Sequence, residues 1–136
     1  MSDETMLTKA ELFDLLSDIE LYPELRADFS AYMGNFINHA DTEAVARLLA
    51  AGASPTSSIA HDDYLYILYH QYQVNRTLRG DTILRLMEML LSHGADPNRI
   101  IDNNLRVYDL ASGHGENEVR LLLVKYGAER QLRKVL

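Results

Sequence analysis

The sequence contains no cysteine. That excludes disulfides and thiolate metal sites and fits a reducing, cytoplasmic setting. No apolar run reaches the length of about eighteen residues that a membrane-crossing helix requires, so no membrane partner is expected. The opening stretch MSDETMLTKAELFDLL is acidic where a secretory leader would be basic, and no leader is expected. A basic excess is missing as well: 13 Lys and Arg stand against 20 Asp and Glu, a net charge of −7. Such a chain repels phosphate backbones, so nucleic acid is not an expected partner. Several catalytic signatures are also absent. There is no His-Glu-x-x-His, no Gly-x-Ser-x-Gly, and the GHGE at 113–116 is too short for a phosphate loop and lacks its Lys-Ser/Thr.

What is present is an ordinary soluble composition, with 47% apolar and 24% charged residues in 136. This length predicts one domain with room for a real core. The charge is unevenly spread. Residues 1–40 carry eight acids against two bases, residues 41–80 a net −1, and residues 81–136 eight of each sign. An acidic face speeds encounter with a basic partner; the same acidity also serves solubility alone.

Three stretches end in nearly the same words: LLAAGASPT at 48–56, LLSHGADPN at 90–98 and LVKYGAER at 123–130. Each reads as a helix terminating on a glycine free to take the left-handed conformation, and Pro97 bars continuation. The glycines, Gly52, Gly94 and Gly127, are 42 and 33 residues apart, so the first interval is the second with nine residues added. Ahead of them, Ala44, Val45, Leu48 and Leu49 fall on one helical face, and Leu86, Met87, Leu90 and Leu91 repeat that spacing. Asp41 and Asp81 are suited to cap these helices. Helix pairs this short cannot bury an apolar face alone and must stack on neighbours.

A 33-residue period with these endings resembles the ankyrin repeat. The likeness is carried by ADTEAVARLLAAGASP at 40–55, DTILRLMEMLLSHGADPN at 81–98 and RVYDLASGHGENEVRLLLVKYGAE at 106–129. In the last, Arg-Val-Tyr-Asp-Leu-Ala stands where that family has Thr-Pro-Leu-His-x-Ala, Gly115 falls between two helices, and Leu122-Leu123-Val124 forms the apolar triplet. The resemblance covers about residues 30–132. It implies an all-α solenoid of antiparallel helix pairs: a capping helix in 1–22, repeat 1 in 23–56, repeat 2 with an insertion in 57–98, and repeat 3 with a terminal cap in 99–136. The cap begins with a capping box, Thr8 and Glu11, followed by a stripe of Leu12, Phe13, Leu16 and Ile19. A second helix is expected over residues 23–38.

Candidate chemistry is sparse. HDD at 61–63 could hold a metal or act as a base, but Asp62 or Asp63 as a helix cap accounts for it without either. His93 precedes a helix end that favours a cation, and His114 falls in an inter-helix turn. No cofactor and no metal are expected. The stretch HDDYLYILYHQYQVNRTLRGD at 61–81 stands out, with four of the eight tyrosines between Tyr64 and Tyr72. On a helix starting near Asp63, Leu65, Leu68 and Tyr72 share one face with Tyr69 beside it, while Tyr66, His70 and Gln73 share the other. At least two of the tyrosines should fill the core. First helices and fingers line the binding side of an ankyrin stack, so the resemblance implies a partner surface there. Its candidate residues are Asp62, Asp63, Tyr64, Tyr66, His70 and Gln73, joined from the last finger by Asp102, Asn103 and Arg106. The stretch NRTLRGD at 75–81 reads as an inserted, solvated turn or a projecting contact loop. Asn103 and Asn104 are equally natural turn residues.

The expected activity is therefore binding itself: a non-catalytic module, of the inhibitor or immunity type, that occludes a basic toxin or enzyme. The length is expected to leave no space for an attached effector domain, which is why binding itself is the expected activity; an adaptor or regulatory subunit is the alternative. A metal-dependent hydrolase using His61, Asp62 and Asp63 is a third reading.

Overall fold

A computed structural model describes residues 7–57, 63–101 and 104–129. Among them there are six α-helices and no strands: α1 (Lys9–Leu16), α2 (Phe29–Asn38), α3 (Thr42–Ala50), α4 (Tyr64–Ser92), α5 (Val107–His114) and α6 (Asn117–Lys125). The chain divides into two compact units, Met1–Ser54 and Pro55–Leu136.

The first unit starts with the anticipated capping box. Thr8 Oγ accepts from the Glu11 amide at 3.1 Å, and the Thr8 amide donates to Glu11 Oε1 at 2.9 Å, so two N-terminal donors of α1 are satisfied reciprocally. Leu12 and Leu16 face inward, while Phe13 lies under the Arg47 guanidinium, 4.4 Å from its ring centre. The expected helix over 23–38 is only partly α-helical. Pro23–Asp28 winds as a 3-10 helix and α2 begins at Phe29. Pro23 presets the first turn, and the Leu25 amide closes onto the Tyr22 carbonyl three residues back rather than four. From Phe29 the burial of Phe29, Tyr32, Met33, Phe36 and Ile37 follows the helical period. Asp41 caps α3 through the Ala44 amide, 3.1 Å away, and Ala44, Val45, Leu48 and Leu49 are all buried.

In the second unit the expected turn at 75–81 shrinks to a single residue. Two helical segments of α4 meet at a kink at Asn75, whose backbone is non-helical (φ −122°, ψ 28°), and residues 76–81 already belong to the second segment. Asp81 is consequently inside a helix and caps nothing. No proline interrupts this stretch, so the backbone amides find their partners along the helix axis. A Cβ on Gly80 would stand 3.6 Å from Tyr72 Cε1, so the Tyr72 side chain reaches across the kink. α5 and α6 then form a tight hairpin, turning on Gly115 in the left-handed region (φ 71°), as the sequence leads one to expect.

The three recurring helix ends have one geometry. Gly52, Gly94 and Gly127 have φ of 106°, 107° and 107°. At each, the alanine that follows (Ala53, Ala95, Ala128) donates back to the carbonyl of Leu48, Leu90 or Leu123 at 2.9–3.0 Å. This is a Schellman cap, with the residue after the glycine closing onto the last full turn. All three leucines are fully buried and the alanines nearly so. The equivalence is local to each corner and holds in both units.

Candidate functional site

The first half of α4 presents its two sides as the residue pattern requires. Leu65, Leu68, Tyr69 and Tyr72 are buried, Tyr66 is half-buried, and His70 and Gln73 are exposed. Three of the four tyrosines in this stretch fill the interior, Tyr64 being the third. Tyr64 therefore offers no contact area, and burial, then the neighbouring Asp63 carboxylate, pushes its hydroxyl pKa upward.

The inward tyrosines keep their hydroxyls bonded, as buried phenols must. Tyr69 Oη lies 2.7 Å from His114 Nδ1, its ring stacked on the imidazole at 6.2 Å between centres. Gln73 Nε2 approaches the same nitrogen at 3.1 Å. Both groups meet at that one nitrogen, whose donor or acceptor role depends on the imidazole tautomer. Tyr72 donates to Glu118 Oε1 at 2.9 Å, and the Arg76 guanidinium, 5.1 Å from the Tyr72 ring centre, is ion-paired with the buried Glu116. Burial first, then Glu116, raises the Tyr69 phenol to about 12; burial and the Glu118 hydrogen bond do the same for Tyr72. Both phenols stay protonated at neutral pH, and Tyr72 acts as a donor. This seam fixes α4 to the α5–α6 hairpin and holds the outer face of Tyr66, His70 and Gln73 in one orientation.

Two further candidate residues belong to the framework. Asp63 is 2% exposed; it caps α4 through the Leu65 amide at 3.1 Å and pairs with Arg99 at 2.9 Å. Burial raises its pKa and the Arg99 guanidinium opposes that. Arg106, also 2% exposed, is gripped by Asp109: Nε to Oδ2 at 3.0 Å, Nη2 to Oδ1 at 2.8 Å, with the Arg106 amide on the same Oδ2 at 2.9 Å. Its Nη1 donates to Asn98 Oδ1 at 2.6 Å. Asn98 Oδ1 also accepts from the Glu129 amide, and Asn98 Nδ2 donates to the Gly127 carbonyl. One asparagine thus ties the end of α4, the start of α5 and the corner after α6. The Arg106 pKa is raised and that of Asp109 lowered, each chiefly by the hydrogen bonds between them. Expecting Asp63, Tyr64 and Arg106 at a partner surface overlooked that helix starts and finger bases consume polar side chains locally.

Asp62, Asp102, Asn103 and His61 lie outside the described residues. Asn104 does adopt the left-handed turn conformation, with φ 63°. Among the described residues no three His, Asp or Glu side chains converge on a point where a cation could sit, and no helix is long and apolar enough to cross a membrane. The residues that sequence reading missed are Arg76, Glu116 and Glu118. They meet partners 40 or more positions away, and no local spacing marks such pairs.

What survives as a candidate surface is the outward face of Tyr66, His70 and Gln73, stiffened from behind. It has the chemistry of recognition: an amphipathic ring, an imidazole and an amide on one helical stripe. No known protein family, no curated protein and no solved structure matches this chain, so its function has to be read from its own residues.

Proposed function

We propose that the chain is a non-catalytic protein-binding module of the ankyrin type, acting as an inhibitor or immunity-type protein on a basic toxin or enzyme. The stripe Tyr66–His70–Gln73 on α4 carries the reading. His70 and Gln73 are exposed and Tyr66 is half-buried, while Tyr69, Tyr72 and Arg76 tie the same helix to α5 and α6. A surface held in its binding geometry loses little conformational freedom on complex formation. The three equivalent helix corners support a repeated unit. The charge supports a basic target: Glu11, Asp14, Asp18, Glu20, Glu24 and Asp28 are all exposed, and a field of one sign steers an oppositely charged protein.

The test begins with recovery of the native complex from source cells under low salt, where steering is least screened. The captured protein is then assayed with and without the purified chain. Stoichiometric loss of its activity is the expected result, relieved by a Tyr66→Ala, His70→Ala double variant whose melting temperature matches wild type. A partner whose activity the chain leaves unchanged would identify an adaptor. Undiminished binding by the double variant would remove the α4 stripe from the interface.

A further inference from the structure

One ring nitrogen is shared between the interior and the outward stripe of α4. His114, exposed at the end of α5, brings its Nδ1 to 2.7 Å from Tyr69 Oη and 3.1 Å from Gln73 Nε2. Gln73 belongs to the outward face, so the imidazole touches the proposed partner surface through one of its three side chains. The two neighbours of Nδ1 differ in what they can offer. A phenol oxygen carries a proton and lone pairs, and donates or accepts according to how its O–H is turned. An amide nitrogen carries protons only.

Neutral imidazole has a form in which Nδ1 is bare and accepts from Gln73 Nε2. Imidazolium has none, because Nδ1 then carries a proton and faces a nitrogen that also has only protons. Two donors cannot share a hydrogen bond. Tyr69 can stay and accept, but Gln73 must turn its amide over or withdraw. The other groups at this corner are committed elsewhere. From α4, burial pushes the Tyr69 and Tyr72 phenols up to about 12, and Arg76 is ion-paired with Glu116 from the turn before α6. From α6, Glu118 accepts from Tyr72 and Arg120 donates to Asn117. His70, exposed on the same stripe as Gln73, is an imidazole too, and the test below separates it.

We propose that His114 is a proton-operated control on the Tyr66–His70–Gln73 face, an inference that rests on reading that face as the partner surface. With Nδ1 bare, Gln73 is held by its nitrogen. Its carbonyl oxygen, which bonds no other described residue, is left to accept from a partner. With the ring protonated, the amide nitrogen is released, the oxygen loses its fixed place, and a positive charge stands beside both. A basic partner brings N–H donors and positive charge of its own, so both changes oppose it. Imidazole is the side chain whose charge changes between about pH 5 and 8. The face therefore binds at neutral pH and lets go as the medium turns acid.

Two readouts test the control. In the free chain, NMR follows the His114 ring nitrogens and the Gln73 side-chain amide from about pH 8 to about pH 5.5. The amide signals should move with the midpoint of the His114 ring. They should stay still in His114→Asn, which puts an amide that does not titrate beside Tyr69 and Gln73; a thermal melt at the upper pH checks that this variant is folded. In the complex, affinity for the protein recovered from source cells should fall about five- to tenfold over the same range. His114→Asn should remove most of that dependence, and His70→Asn should keep it. A Gln73 amide that ignores the His114 midpoint overturns the proposal. So does an affinity constant with pH, or a pH dependence that survives His114→Asn or vanishes in His70→Asn. None of these outcomes removes the face itself, which falls only if the Tyr66→Ala, His70→Ala variant binds undiminished.

Discussion

Replacing Gly94 by alanine adds one methyl group where there is nothing to collide with: no atom lies within 4 Å of the position its Cβ would take. The same is true of Gly34 inside α2. The two substitutions should nevertheless have opposite effects. Gly94 has φ 107°, a region that a Cβ disfavours, so alanine there costs about 1–2 kcal/mol. The strain also loosens the Ala95 N–H bond to the Leu90 carbonyl, which is 3.0 Å long. Gly34 has ordinary helical geometry, and alanine there should stabilise by about 0.5–1 kcal/mol through helix propensity and the restricted unfolded chain. For a protein of this size those energies correspond to a fall of about 3–10 °C and a rise of about 2–5 °C in the melting temperature. Urea denaturation with a constant m-value separates stability from a change in the unfolded state. Gly127→Ala should match Gly94→Ala, because its φ is also 107° and it too has an open Cβ position. Gly94→Ala as stable as wild type would refute the backbone argument, and with it the equivalence of the helix corners.

Three other outcomes are expected. Arg106→Ala leaves the Asp109 carboxylate and Asn98 Oδ1 without their guanidinium and should cost about 3 kcal/mol; Arg106→Lys should restore only part of this, because an ammonium cannot span both carboxylate oxygens, and equal stability of lysine and arginine in chemical denaturation would contradict the bidentate account. The lowered Asp109 pKa means that its ionised form is favoured in the folded chain. Its contribution is complete above the unfolded value of about 3.9 and is lost as pH falls through the lower folded pKa. Asp63, raised by burial, works in the opposite sense and gains relative stability as pH drops through its folded pKa. Denaturation series between pH 6 and pH 2 should show a shallower acid loss in Asp109→Asn than in wild type, and parallel slopes would count against the pair. Finally, Leu123→Ala should cost about 3–4 kcal/mol by opening a cavity at a fully buried side chain, whereas Leu121→Ala, two residues away and largely exposed, should stay within about 0.5 kcal/mol.

Determined by the sequence alone were features whose partners lie within one or two helical turns. Thr8 and Glu11 bracket α1, Asp41 caps α3, Gly115 turns the hairpin, and Gly52, Gly94 and Gly127 close their helices. In each case donor and acceptor are at most five residues apart, so a short window holds the whole interaction. The inward and outward sides of α4 were legible for the same reason, since a 3.6-residue period sorts Leu65, Leu68 and Tyr72 from Tyr66, His70 and Gln73. Nothing in NRTLRGD forbids a longer turn; only tertiary structure decided that the break is confined to Asn75 and that residues 76–81 are helical. It also decided the fate of the polar side chains. Arg106, Asp63 and Tyr69 look the same in a sequence whether they face a partner or a neighbouring helix. Arg99 lies 36 residues from Asp63 and His114 lies 45 from Tyr69. Such pairs form because burial leaves a polar group no water to bond, and which residue answers it depends on how the helices pack.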